Sequence, residues 1–217
     1  MDPLLNDVEV RVLGALIEKQ IATPDYYPLT LNSLLAACNQ RSNREPVVNY
    51  SDQTVLNAIE TLRPKHLVYI YYASESRVPK YKHRVGDHFG LDARESAIMC
   101  VLMLRGPQTI GEIRTRTTRL HNFADLNEVK EVLDKLISRE DEPLVAVLAS
   151  QPGQKEVRYA HLLEGKPVIP EGRSTGHGTS GSSLAERVAE LESIVSELRE
   201  QVNGIQASFD TFRKEFE

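Results

Sequence analysis

The run SDQTVLNAIETLRPKHLVYIYYASESRVPKYKHRV, residues 51–85, changes its period once, and that change decides the fold. Up to Pro64 the apolar residues Val55, Leu56, Ile59 and Leu62 recur at helical spacing behind Ser51, which stands in the N-cap position. Beyond Pro64 the stretch 67–73 is β-branched and aromatic, and 78–85 reads as a second strand, with SES at the hairpin tip. Upstream, Val8, Val12, Leu13, Leu16 and Ile17 predict a helix over 6–19, with Asp7 and Glu9 favourably placed at its positive end. A turn-rich break, ATPDYYP, precedes a second helix over 31–38 capped by Thr30. The polar run 39–50 follows, and Pro46 disfavours helix at Glu45. Three helices and then a hairpin is a winged-helix order.

That order recurs downstream. Helices are predicted over 95–105, 109–120 and 126–139, then a hairpin of 144–149 and 156–161 around Pro152 and Gly153. Val12-Leu13 matches Ile98-Met99 at an offset of 86, Thr30-Leu31 matches Thr109-Ile110 at 79, and Val55-Leu56 matches Val132-Leu133 at 77. The offset drops where the first copy carries its extra PDYYP turn, a loop change that structural repeats tolerate. The expected fold class is therefore mainly α with small β-hairpins (α+β). It comprises tandem winged-helix domains at 1–90 and 91–164, a Gly/Ser linker at 165–183 and a coiled-coil helix at 184–217.

The linker holds five of the chain's 12 glycines and has an expected span of roughly 24 Å. In the tail, placing Leu184 at d puts Val188, Val195 and Val202 at a, and Leu191, Leu198 and Ile205 at d. β-Branched a positions with leucine at d favour a parallel two-stranded coil, so self-association is expected there. A lone amphipathic helix folding back on the domains is the competing reading.

Of 217 residues, 41% are hydrophobic and 26% charged, a globular mix with no apolar run long enough to span a membrane and no secretory leader at its start. Cys38 and Cys100 sit in apolar helical runs and read as buried small hydrophobes, so the cytoplasm is the expected compartment. The net charge of -5 argues against a globally basic nucleic-acid binder. Residues 61–91, however, hold six basic and two acidic side chains.

Three features could contact double-stranded DNA. On the first hairpin Lys80, Lys82 and Arg84 share one face, with Arg77 at the tip, as phosphate contact requires; lysine protection of an edge strand is the ordinary alternative. The loop Asn39, Gln40, Arg41, Ser42, Asn43, Arg44 can donate to bases and phosphates, or can simply cap the flanking helices. Arg114, Arg116 and Arg119 lie on the second copy's second helix, but two-residue spacing splits Arg114 from Arg116 into a diffuse basic surface. The third helix offers only Gln53, Asn57 and Arg63 as readers. His83, Asp87 and His88 fit a metal pair loosely, yet without further ligands nearby they read as a solvated loop. No phosphate-binding glycine loop, nucleophile elbow or zinc-spaced cysteine pair occurs, so neither an enzyme nor a cofactor is expected.

The segments LTLNSLLAACNQRSNREPVVNYS and GPQTIGEIRTRTTRLHNF, with the early VEVRVLGALIEK, resemble the YceH-like bacterial proteins, an uncharacterised tandem winged-helix family. The resemblance covers roughly residues 4–165, and CNQRSNREP (38–46) is its most specific piece. It implies the fold and a bacterial cytosolic setting, and brings no activity. The leading expectation is a dimeric DNA-binding protein, regulatory or chromosome-associated. The alternative is a scaffold for a protein partner.

Overall fold

The computed structural model describes residues 4–72, 78–148 and 156–165. The expected linker beyond Gly165, the heptad helix with its seam Leu184, Val188, Leu191, Val195, Leu198, Val202 and Ile205, and Arg77 lie outside the described residues.

The described chain is mixed α+β. Helices α1 (Asp7–Ala22), α2 (Leu31–Cys38) and α3 (Asp52–Leu62) are followed by strands β2 (Val68–Tyr71) and β3 (Lys80–His83), with a two-residue strand β1 (Leu29–Thr30) ahead of α2. The helical turn α4 (Val85–Phe89) leads into α5 (Ala93–Arg105), α6 (Ile110–Thr117) and α7 (Leu126–Ile137), then β4 (Val145–Leu148) and β5 (Arg158–His161). Two of these elements depart from the sequence reading. The second strand was expected to run to residue 85 but stops at His83, and the chain then turns into α4, closed by Gly90 in the left-handed region at φ 62°. Strand β1 pairs with β3, giving the order β1-β3-β2, so β3 is central and protection of an exposed edge does not explain its lysines.

Corresponding positions in the two copies do the same physical work. Asn6 accepts from Glu9 N at 2.9 Å while the Glu9 carboxylate accepts from Asn6 N at 2.8 Å; 86 positions on, Asp92 and Glu95 repeat both bonds at 2.8 Å. Each buried glutamate meets a lysine from the far side of its own bundle, Glu9 with Lys65 at 2.7 Å and Glu95 with Lys135 at 2.9 Å. At the base of each ribbon a valine pairs with a buried histidine, Val68 with His83 and Val145 with His161.

The copies share one hydrophobic cluster, and α1 packs against α5 through its middle. The crossing is close because Gly14 has no side chain. A Cβ there would lie 2.9 Å from Leu104 Cδ2 and 3.2 Å from Met103 Cβ. Cys100, the counterpart of Gly14 at offset 86, directs its thiol at Gly14 O at 3.5 Å, so equivalent residues meet as in a two-fold contact. Both cysteines are fully buried, and burial pushes the Cys38 thiol up to about 12 and raises that of Cys100 as well.

Two outcomes are expected. Gly14→Val overpacks the crossing and lowers stability by about 1–3 kcal/mol, which for a chain of this size is a melting-point loss of about 2–4 °C per kcal/mol. Calorimetry on the variant measures it. Burial holds His83 and His161 down at about 4, whereas unfolded histidine titrates near 6.5. Their contribution is therefore complete above pH 6.5 and is lost as pH falls from 6.5 toward 4, by about 1.4 kcal/mol per pH unit for each ring. Denaturant titrations between pH 7 and 5 should give a shallower pH slope for His83→Gln with His161→Gln than for the unaltered chain.

Candidate nucleic-acid interface

The first ribbon carries the cationic face. In β3 the alternation turns Tyr81 and His83 into the core and leaves Lys80 and Lys82 partly exposed. Register places Tyr71 opposite Lys80 and Tyr69 opposite Lys82, so the outer face interleaves two lysines with two exposed tyrosines. Lys82 Nζ stands 5.8 Å from the centroid of the Tyr69 ring, within cation–π range. Arg63 at the end of α3 and Arg84 just past β3 border an open groove beside this face, together with His66, Tyr69 and Tyr72. Arg84 Nε is 3.5 Å from Asp87 Oδ2, but both side chains are more than half exposed, and such a pair holds its partners only weakly. The inner edge of β3 is fixed by Tyr27, whose hydroxyl accepts from His83 N at 2.8 Å.

His83 is therefore not in a solvated loop. Its ring is buried, and Nδ1 accepts from Val85 N at 3.2 Å. Among the described residues, no three His, Cys, Asp or Glu side chains gather as metal ligands.

The polar loop 39–50 turns out to be internal mortar. Asn39 brackets Tyr50, donating to its carbonyl at 2.9 Å and accepting from its N–H at 2.8 Å. Arg44 is corrected from phosphate contact to buried staple. It grips Glu18 with both nitrogens at 3.1 and 2.7 Å, and its Nε and Nη2 donate to Ala37 O at 3.0 and 2.8 Å. Gln40 Oε1 accepts from Arg44 at 2.9 Å. Asn43, in the left-handed region at φ 60°, accepts from Arg105 through Oδ1. Glu45 N donates to Leu104 O at 2.9 Å, which ties the loop to α5. Of this loop's predicted residues, Arg41 and Ser42 are exposed with no side-chain hydrogen bond or ion pair among the described residues.

Arg114 and Arg116 diverge as their spacing requires. Arg114 donates to Ala124 O at 2.8 Å, whereas Arg116 lies 3.2 Å from Glu112 and lines a recess between the copies. The second ribbon is different in kind. Arg158 is the only cation on its described strands, and it is bound to Glu112 at 3.1 Å and Pro107 O at 3.0 Å.

Fold and surface thus define a two-copy α+β protein whose described residues carry one cationic ribbon, and no helix among them is long and apolar enough to cross a membrane. The chain belongs to the bacterial family described as protein of unknown function DUF480, which matches residues 5–154, in keeping with the YceH-like resemblance. It is 49% identical to a UPF0502 protein of Geobacter sulfurreducens over 221 residues, covering all of both chains. A UPF0502 protein of Vibrio atlanticus is 46% identical over 212 residues, covering 95% of this chain and 97% of its own. One from Opitutus terrae is 45% identical over 197 residues, covering 91% and 84%. Similarity therefore continues through the tail, beyond the 4–165 of the sequence resemblance.

Burial alone raises the Glu18 carboxyl, but the hydrogen bonds and charge of Arg44, with Lys19, outweigh it and hold Glu18 below the usual carboxylate range. Its contribution is complete above about pH 4.5 and is lost as pH falls below that. Arg44→Met strands Glu18 and is expected to destabilise the fold by about 3–5 kcal/mol. Adding Glu18→Leu should restore much of that in a denaturant titration.

Proposed function

We propose that this protein binds double-stranded DNA through the outer face of the β2–β3 ribbon, as a tandem winged-helix protein that pairs through its C-terminal heptads. The observation that carries the reading is the co-facing set Lys80, Lys82, Tyr69 and Tyr71, flanked by Arg63 and Arg84. Helix–helix–helix–ribbon, with β1 completing the sheet, is the order in which a winged helix sets a helix in the major groove and its wing on the backbone.

The exposed side of α3 is poorly suited to reading bases. Gln53 donates to Asn57 at 2.7 Å, which engages one group of each amide, and Asp52 and Glu60 share that exposed surface. Backbone contact should therefore dominate, giving binding that depends little on sequence and steeply on salt. The second copy presents mixed charge on α7, where Lys135 is held by Glu95 and Asp92, and adds no comparable surface among the described residues. Two chains joined through the tail would gain affinity from effective concentration on one duplex. The reading involves no catalytic step.

A protein partner on the same face is the second reading, favoured by the exposure of Tyr69, Tyr71 and Tyr72, a residue type enriched where binding energy concentrates.

Fluorescence anisotropy with mixed-sequence duplex, at low and near-physiological salt, separates the two. Lys80→Glu with Lys82→Glu should weaken binding of every duplex and flatten the log K against log salt slope by about 2 per chain. A chain ending at Ile169 should bind more weakly than the full chain. Unchanged affinity in the double variant would remove the ribbon from the account. A stoichiometric protein partner that survives nuclease treatment would favour the second reading.

A further inference from the structure

The recess between the two copies is a separate basic feature, and it does not depend on the DNA-binding reading. Its rim is built from the last turns of α1, α5 and α6 and from the 39–45 loop, and it carries Lys19, Arg105, Arg116 and Arg119. Glu18, the one carboxylate among the described residues that line it, is already held by both nitrogens of Arg44, and Glu112 beside it pairs with Arg116 at 3.2 Å. Arg119 has no hydrogen bond or ion pair among the described residues, and Arg105 meets only the neutral amide oxygen of Asn43. Burial first, and then the neighbouring cations Arg116 and Arg44, lower the Arg105 guanidinium from its ordinary value. It is thus partly withdrawn from water, between the cations Arg116 and Arg44 and the carboxylates Glu45 and Glu18.

Cations at helix C-termini have an ordinary explanation, since each helix end carries about half a negative charge. Here that explanation falls short. Three helix ends supply roughly -1.5, and Glu18, Glu45 and Glu112 add three negative charges, against the four cations of the rim and the two, Arg44 and Arg158, that hold Glu18 and Glu112. The recess remains positive by roughly 1.5 charges.

Shape and symmetry narrow the ligand. The recess has a volume of about 460 Å³, within the range of small-molecule sites. Ala22, Val101, Leu104 and Leu120 supply apolar surface beneath the charged rim. Lys19 and Arg105 are 86 positions apart, the offset that relates Gly14 to Cys100, and Gln40 and Arg119 are 79 apart, the offset that relates the caps Thr30 and Thr109. Equivalent positions of the two copies therefore line one recess, which lets a single anion meet cations from both copies. Guanidinium forks match phosphoryl oxygens in pairs.

We propose that this seam binds a small organic diphosphate, with the phosphoryl groups on Lys19, Arg105, Arg116 and Arg119 and the organic portion against the apolar floor. Because the ligand bridges α1, α5 and α6, it would stabilise the packing of one copy on the other.

The test measures melting point and calorimetric binding on the full chain with inorganic pyrophosphate, with adenosine diphosphate as an organic diphosphate, and with potassium chloride at matched ionic strength. Both phosphates should raise the melting point by several degrees beyond the salt control, and adenosine diphosphate should bind more tightly than pyrophosphate. Arg116→Gln with Arg119→Gln should weaken both at least tenfold while leaving the melting point of the free protein unchanged. Arg119 has no partner to lose, and Arg116 loses only a surface pair within its own helix. Lys80→Glu with Lys82→Glu should leave both affinities intact. The proposal is overturned by a shift no larger than the salt control, by equal binding in the Arg116/Arg119 variant, or by loss confined to the Lys80/Lys82 variant. It is also overturned if duplex DNA displaces pyrophosphate and the Arg116/Arg119 variant loses duplex binding, since the recess would then belong to the DNA surface.

Discussion

The close crossing of α1 on α5 at Gly14 is the constraint on which the rest of the structure depends. With no Cβ at that position, Leu104 and Met103 come into contact with the α1 backbone, and the hydrophobic clusters of the two copies merge into one. Everything at the seam follows from that approach. The 39–45 loop reaches α5 through Glu45 and Asn43, and Lys19 and Arg105 are brought to line one recess.

The molecule sorts its positive charge into two kinds. At the seam, guanidinium groups gather round a recess, some saturated by protein acceptors, as in Arg44, and others close to one another, as in Arg105 and Arg116. On the ribbon, Lys80 and Lys82 alternate with buried Tyr81 and His83 and stand beside exposed rings. The first arrangement suits a small anion that can enter a recess. The second suits a long polyanion that lies along a surface, where each neutralised phosphate releases counterions. The net charge of -5 conceals both, because acidic side chains elsewhere outweigh them.

Much of the architecture was legible in the sequence because it rests on local signals. Ser51 and Thr30 act as the N-caps their positions imply, the apolar period of α3 gives its buried face, and alternation along β3 sorts Lys80 and Lys82 from Tyr81 and His83. What was missed depends on tertiary contact. Two residues, Leu29 and Thr30, are too few to announce a strand, and they pair only because β3 is presented to them. The loop 39–44 carries residue types that suit both nucleic acid and internal hydrogen bonding, and only the position of Glu18 decides between them for Arg44. The seam cations went unseen as a group because they come from three separate segments. The 86-residue offset linking Lys19 to Arg105 was the available signal, since it already related Val12 to Ile98.

The central claim is that the ribbon and the seam are distinct surfaces with distinct anionic ligands, and amide chemical-shift mapping on the full chain tests it most directly. A mixed-sequence duplex added at low salt should perturb residues 68–71 and 80–84, and pyrophosphate should perturb residues 18–23, 40–45, 104–106 and 116–120, with little overlap between the two sets. Perturbation of one shared set by both ligands, or of neither region by either, would contradict the account.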